Sequence, residues 1–396
     1  MSGPDVFAPA TLGPVRLRNR VVKAATFEGR TPDGMVTDEL VDFHLAVARG
    51  GVGLTTVAYL AVAPEGRTDR HQIHLRDEVV PGLRRLTDAV HAEGTAVAAQ
   101  LGHAGPVANG RSNRARALSA SRMPSPLSMQ MVRAATERDL AIVLEQYVAG
   151  ARVAVRAGFD VLELHLGHNY LLSSFLSPNL NRRRDDYGGS LRARSRFPRR
   201  VAKAVRDAVG STVAVTAKVN MSDGVRSGLQ PDEALEFAAL LEEDDALDAL
   251  QLSAGSSLTN PMYLFRGDAP VAEFAAQMPF PVRIGMRLVG RRFLREYPFE
   301  EAYLLPLARR FRAALGMPLM LLGGVNRRST LDLAMDEGFE YVAMARALLR
   351  EPDLLLRMQS GRTDEALCIH CNQCMPTIYT GTRCVLVPES TQRRAS

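Results

Sequence analysis

The chain has 396 residues, 46% of them hydrophobic, and a formal net charge of +6. This length fits either two average domains or one large barrel, and the hydrophobic content is enough for an extensive core. The basic residues are almost all arginines scattered over helical patterns, so no nucleic-acid partner is expected. No apolar run of about 18 residues is present, and the chain begins without a continuous apolar segment, so we expect a cytoplasmic protein that binds no membrane.

Eight short apolar or β-rich segments can be identified, and amphipathic helical patterns separate most of them. The predicted strands are 21–25, 53–58, 96–100, 161–165, 213–219, 249–253, 318–322 and 341–345. The predicted helices are 37–51, 80–94, 135–158, 192–210, 231–245, 298–316 and 328–338. Alternating strands and helices form a parallel sheet, and eight such units favour a closed barrel over an open doubly wound sheet. We therefore predict an α/β fold of the (β/α)8, or TIM, barrel type.

Two long insertions interrupt the alternation, at residues 102–128 and 256–296. Loops of this length are commonly lids or substrate walls. Four cysteines lie close together near the end of the chain. We therefore predict two parts, a barrel over residues 1–360 and a short cysteine-containing tail over residues 361–396 that packs on the barrel.

Polar and small residues stand where the predicted strands end, which is where (β/α)8 barrels place their chemistry. These residues are Ala25, Thr26, Ala58, Gln100, His165, Lys218, Ser253, Gly323, Gly324 and Arg346. His165 also opens a polar segment with His168, Asn169 and Tyr170. Such a set from most of the strands predicts a binding site on one rim of the barrel.

The polar segment carries a family resemblance. It has the pattern HxxHxYL, with His165, His168 and Tyr170, followed by FLSPxxNxRxDxYGGS over residues 175–190. This pattern resembles the old yellow enzyme family of NADH:flavin oxidoreductases and ene-reductases, and the likeness runs from about Val6 to Asp353. The resemblance implies an FMN-binding barrel that takes hydride from NADH or NADPH, with the choice between the two reductants open.

The resemblance also implies which residues hold FMN. The residues expected on the flavin ring and its phosphate are Ala24, Ala25, Thr26, Ala58, Gln100, Lys218, Gly323, Gly324, Ala345 and Arg346. A cation at Lys218 would stabilise the anionic reduced flavin. Backbone N–H groups at the glycine pair and the Arg346 guanidinium are the donors that a phosphate dianion selects.

The implied reaction is reduction of an activated C=C bond in an enone-type substrate. His165 and His168 would hydrogen-bond the substrate carbonyl, flavin N5 would deliver hydride to Cβ, and Tyr170 would protonate Cα. A phenol with an ordinary pKa of about 10 is protonated at neutral pH and can act as the acid. Asn169 stands where the family usually has glycine, which could add a polar contact or narrow the pocket.

Cys368, Cys371, Cys374 and Cys384 have the spacing of metal ligands. The segment resembles a shortened form of the cysteine motif of 2,4-dienoyl-CoA reductases, which implies a [4Fe-4S] cluster, while zinc and free thiols stay open. Two alternative functions follow: a cluster-containing enzyme like dienoyl-CoA reductase, and a non-catalytic flavin-binding redox sensor. A homo-oligomer is compatible with the sequence, which names no physiological substrate.

Overall fold

Eight parallel strands form a closed barrel in this computed structural model, which describes residues 3–125, 128–278, 280 and 282–388. The strands are Val21–Lys23, Leu54–Ala61, Ala96–Gly102, Val161–Leu166, Ala214–Asn220, Ala249–Ser253, Leu319–Leu322 and Tyr341–Met344. Neighbours in the chain pair in parallel, and the eighth strand closes on the first through Val342 and Val21. The predicted (β/α)8 barrel and its eight strands are confirmed.

The sequences of the strands are largely apolar because both faces of the sheet are covered. Val22, Leu54 and Val161 point into the barrel interior, whereas Val21 and Leu162 pack under the surrounding helices. The main outer helices are Asp38–Arg49, Val80–Ala92, Glu137–Arg156, Leu191–Val209, Pro231–Glu243, Leu305–Ala314 and Arg328–Asp336. Short helices Leu171–Leu176, Arg346–Arg350 and Leu354–Gln359 follow the fourth and eighth strands.

The helix predicted over 298–316 is wrong at its start, because the observed helix begins at Leu305. Glu301 accounts for the difference. Its Oε1 accepts hydrogen bonds from the backbone N–H groups of Asn326 and Arg327 at 2.8 and 3.0 Å. This carboxylate therefore ties the segment before the helix to the loop that follows the seventh strand.

Small elements complete the chain. The hairpin Ala10–Leu12 and Val15–Leu17 packs against the barrel interior. The first insertion contains Gly105–Val107, Gly110–Asn113, Leu118–Ser119 and Met123–Pro124, and the short strand Met131–Ala134 follows it. The second contains Pro261–Tyr263, Val271–Ala276 and Val282–Phe293. Single 3-10 turns lie at Asp77–Val79 and Pro376–Tyr379.

Parts of the predicted insertions and tail, residues 126, 127, 279, 281 and 389–396, lie outside the described residues. Within the described part of the chain, no helix has both the length and the apolar character that crossing a bilayer requires.

Candidate active site

A cavity of about 350 Å³ opens at the carboxyl ends of the barrel strands. The structure places every residue that the sequence assigned to FMN or to catalysis on its wall. These residues are Ala24, Ala25, Thr26, Ala58, Gln100, His165, His168, Tyr170, Lys218, Gly323, Gly324, Ala345 and Arg346. What each residue does there stays a prediction.

Glu163, which the sequence analysis missed, organises the floor of this cavity from the fourth strand. Its side chain is 3% exposed, and its Oε1 accepts a hydrogen bond from Gln100 Nε2 at 2.6 Å and lies 3.4 Å from Lys218 Nζ. Oε2 accepts a bond from Gln251 Nε2 at 3.0 Å. Because a carboxylate only accepts, the Gln100 amide must turn its N–H group toward Glu163. Its carbonyl oxygen is then the atom left to accept from an N–H donor in the cavity.

A signal for Glu163 was present in the sequence. It interrupts the apolar run Val161–Leu166 at a position where every neighbour is buried. A buried carboxylate needs compensating donors, so its partners had to be sought on other strands. The lysine and glutamine at neighbouring strand ends were those partners.

His165 and His168 form one hydrogen-bonded chain. The Gly167 N–H donates to His165 Nδ1 at 3.2 Å, His165 Nε2 lies 3.3 Å from His168 Nδ1, and His168 Nε2 lies 2.7 Å from Ser253 Oγ. This chain assigns the tautomers: each ring accepts at Nδ1 and carries its proton on Nε2. A substrate carbonyl contacting His168 would compete with Ser253 for the Nε2 proton.

Both imidazoles are neutral at physiological pH. Burial, the neighbouring His168 and the Lys218 ammonium hold the pKa of His165 well below its usual range. Desolvation in the cavity, with Lys218 again, lowers the pKa of His168 to about 3. The pair is therefore suited to donate hydrogen bonds and unsuited to act as acids.

Tyr170 lies across the ring of His165, with ring centroids 4.3 Å apart at an angle of 68°. Burial raises the pKa of Tyr170 to about 12, although hydrogen bonds to Thr68 and Ser257 oppose the shift. The phenol therefore keeps its proton throughout the neutral range. Tyr59, which was not predicted, also lines the cavity and packs against Tyr170 with centroids 5.3 Å apart.

The seventh and eighth strands end in the predicted phosphate-binding groups. Gly323 and Gly324 have φ values of +111° and +75°. A Cβ at position 324 would lie 2.6 Å from Tyr303 Cδ1, so only glycine fits there. Arg346 Nη1 donates to the carbonyl oxygens of Phe265 and Arg266 at 3.0 and 2.9 Å. The guanidinium is thus fixed against the second insertion, and it lines the same cavity as the glycine pair.

Two buried charged residues hold the adjacent wall, after the first strand, and neither was predicted. Lys23 Nζ donates to Thr26 Oγ1 at 2.7 Å, which fixes the turn of residues 24–26. Burial lowers the pKa of Lys23 to about 8, and the charge of Glu28 opposes this shift. The Glu28 carboxylate accepts the Ala58 N–H at 3.0 and 3.2 Å. For Lys23 the sequence offered one signal, which is that lysine is rare in this chain.

The four cysteines border a second, smaller cavity, and none of the four is in a disulfide bond. Burial raises the pKa of Cys368, and it raises that of Cys374 to about 12. Among the described residues, no group of three or more His, Cys, Asp or Glu side chains is arranged to hold a metal ion. Four thiols around one cavity are nevertheless the donor set of an iron–sulfur cluster.

The cysteine tail also forms part of the main cavity wall, which was not predicted. The tail residues on this wall are His370, Cys374, Met375, Ile378 and Thr382. The His370 ring stacks on Phe299 with centroids 3.3 Å apart. Asn372 Nδ2 donates to the Asp268 carbonyl at 3.0 Å, and the Thr382 N–H donates to the Glu28 carbonyl at 2.7 Å. The tail thus connects the second insertion to the loop after the first strand.

The glycine pair and arginine after the last two strands are an arrangement that (β/α)8 barrels use to bind a phosphate group. Together with the buried amide and ammonium groups, they place the chain in the class of barrel oxidoreductases that bind a flavin nucleotide. Residues 5–259 match the model of the NADH:flavin oxidoreductase / NADH oxidase family. The chain belongs to this family and is an FMN-dependent NAD(P)H oxidoreductase, as its resemblance to old yellow enzyme implied.

The chain is similar to the 4,4'-dithiodibutanoate disulfide reductase of Rhodococcus erythropolis, with 59% identity over 97% of this chain and 95% of the relative. Two solved structures share its fold. The complex of 2-naphthoyl-CoA reductase with 2-naphthoyl-CoA has 22% identity and a TM-score of 0.83 over 99% of this chain and 58% of that longer chain. The old yellow enzyme homologue of Zymomonas mobilis has 20% identity and a TM-score of 0.73 over 96% and 100%.

Replacing Glu163 by Gln should weaken FMN binding about 10- to 100-fold, equivalent to roughly 1.5–3 kcal/mol for a lost hydrogen bond to a charged group. The glutamine would present an N–H group to Gln100 and Lys218, which are both donors. Fluorescence titration of the apoprotein with FMN measures the change. Glu236→Gln, at an exposed position on the helix Pro231–Glu243, is the matched control. An unchanged Kd in the Glu163 variant would show that its carboxylate does not set the flavin site.

Proposed function

We propose that the protein reduces an activated C=C bond, of the enone type, with NADH or NADPH as the reductant. The observation that supports this most directly is that Tyr170, His165 and His168 share one cavity with the groups expected to bind FMN. FMN bound there supplies hydride transfer. The side chains of the protein have three tasks: to hold the cofactor, to polarise the substrate and to deliver a proton.

Lys218 and Gln100 serve the first task. The Lys218 ammonium stabilises negative charge on the adjacent ring, and the Gln100 carbonyl accepts from a ring N–H. Glu163 holds both side chains in the barrel interior. The cation is therefore kept close to the reacting system although the barrel excludes water around it.

The histidine pair and Tyr170 serve the other two tasks. The neutral His168 imidazole donates its Nε2 proton to the substrate carbonyl oxygen in place of Ser253, which draws electron density away from Cβ. His165 supports it by donating its own Nε2 proton to His168 Nδ1. Tyr170 then gives its proton to Cα, so that one hydride and one proton together saturate the double bond. Because the tyrosine pKa is raised to about 12, the acid form is lost only as the pH rises through that value.

Replacing Tyr170 by Phe should leave the rate of flavin reduction by NAD(P)H unchanged and slow enone turnover about 10²- to 10⁴-fold, the usual contribution of a general acid. Stopped-flow absorbance of the two half-reactions separates these effects. Tyr263→Phe, at a residue outside the cavity wall, is the matched control. Equal enone turnover in the two variants would remove Tyr170 from the role of proton donor.

An organic disulfide is the second candidate substrate, favoured by the 59% identity to a disulfide reductase over nearly the whole chain. Cleavage of a disulfide consumes one hydride and one proton and yields two thiols, which balances the oxidation of one NAD(P)H. The leaving group is a thiolate with an ordinary pKa of about 8.5, which departs without an acid. Tyr170 has no necessary part in this reaction.

The two substrate classes are separable with 4,4'-dithiodibutanoate and 2-cyclohexenone under the same conditions. If disulfide reduction is the main activity, kcat/KM should be higher for the disulfide, and Tyr170→Phe should slow only the enone reaction. NAD(P)H oxidation, with mass spectrometry of the thiol and ketone products, gives both rates. Oxidation of NAD(P)H without either product would contradict both proposals.

We also propose that Cys368, Cys371, Cys374 and Cys384 bind a [4Fe-4S] cluster, since all four border one cavity. Such a cluster supplies one-electron transfer. Protein purified without oxygen should then contain about four iron atoms and four sulfides per chain. Cys371→Ser should lower both contents, whereas Met375→Leu, which removes no thiol, should not. Iron-free protein in which all four thiols react with a maleimide would overturn the proposal.

A further inference from the structure

The loop that carries His168 and Tyr170 has a strained backbone. His168 and Asn169 both have φ values of +60°, in the left-handed region that side chains other than glycine rarely adopt. Two successive residues of this kind persist only where their surroundings hold them. The groups that hold them therefore control where the His168 and Tyr170 side chains lie.

Asp223, from the loop after the fifth strand, is the centre of those surroundings. It is 1% exposed. Its Oδ2 accepts hydrogen bonds from Asn169 Nδ2 at 3.2 Å and from the Leu229 N–H at 3.0 Å, and Oδ1 accepts from Asn220 Nδ2 at 2.9 Å. Ser177 Oγ also lies 2.5 Å from Oδ2. All four groups that contact Asp223 are hydrogen-bond donors. An ionised carboxylate suits this position because its oxygens only accept hydrogen bonds.

Two connections run from Asp223 to the strained loop. The first is direct, through the Asn169 amide, whose Oδ1 in turn accepts from Ser256. The second passes through Asn220, whose Oδ1 accepts the backbone N–H of His168 at 3.1 Å. Both residues whose φ is positive are thus tied to one carboxylate. Asp223 itself does not border the cavity, so it acts only through these neighbours.

We infer that Asp223 is a positioning residue, which through Asn169 and Asn220 holds the loop 168–170 in its left-handed conformation and so sets His168 and Tyr170 over the cavity. This inference rests on the proposed function of Tyr170. Its physical basis is that displacement of a catalytic group by about 1 Å can cost roughly 10²-fold in rate. A network joining the loops after the fourth, fifth and sixth strands is what prevents that displacement.

Asp223→Asn tests the inference because it preserves shape and replaces an acceptor by a donor. Turnover of 2-cyclohexenone should fall about 10- to 100-fold, as expected for a displaced catalytic group. FMN binding should be unchanged. The effects of Asp223→Asn and Tyr170→Phe should be less than additive in the double variant, because Asp223 acts in part through Tyr170. A general loss of structure would instead add to the Tyr170 effect. Asp207→Asn, on an exposed helix surface, is the control.

Two substitutions of Asn169 provide an independent measure if Asp223→Asn does not fold. Glycine accepts φ of +60° readily, so Asn169→Gly removes the side-chain links to Asp223 and Ser256 without straining the backbone. Alanine removes these links and also strains the backbone, so Asn169→Ala should slow enone turnover more than Asn169→Gly does. Wild-type turnover in both Asn169 variants would overturn the inference. Fully additive effects of Asp223→Asn and Tyr170→Phe in the double variant would overturn it as well.

Failure of the proposed acid role is distinguishable from failure of the positioning role. If Tyr170→Phe has no effect on turnover, the acid role fails. Crystal structures of Asp223→Asn and Asn169→Gly then decide the positioning role. A shifted loop with changed φ at residues 168 and 169 supports it, and an unmoved loop overturns it.

Discussion

One buried carboxylate governs the geometry of the site. Glu163 sits in the barrel interior, where an isolated charge would be costly, and its compensation comes from Gln100, Gln251 and Lys218 on three other strands. Removing one partner would leave a buried group unsatisfied, so the four side chains hold one another in place. The orientations of the Gln100 amide and the Lys218 ammonium, which face the cavity, therefore follow from the need to pair the buried Glu163 carboxylate in the folded barrel.

The rest of the site is arranged around this centre by the same rule, that buried polar groups need partners. Lys23 and Glu28 secure the wall after the first strand, and Asp223 secures the loop after the fourth. Burial, together with the nearby Lys218 charge, lowers the pKa of both histidines and keeps the pair neutral. In the proposed reaction, proton delivery belongs to the Tyr170 phenol and carbonyl polarisation to the histidine pair.

The sequence was sufficient for the barrel and for the strand-end residues on the cavity wall. Apolar runs located all eight strands because both of their faces are buried, and residues at strand ends share a rim by topology. Glu163, Glu28 and Asp223 were missed because their partners lie on other strands and loops, so only the fold reveals which donors meet them. The start at Leu305 was missed because Glu301 has a tertiary partner that outweighs its helical preference.

Cys374 borders both the main cavity and the small cavity shared by the four thiols. Of the four thiols, Cys374 is the one on the wall of the main cavity. Oxidation, alkylation or metal ligation of Cys374 would therefore change a surface of the main cavity as well as the surroundings of the other three thiols.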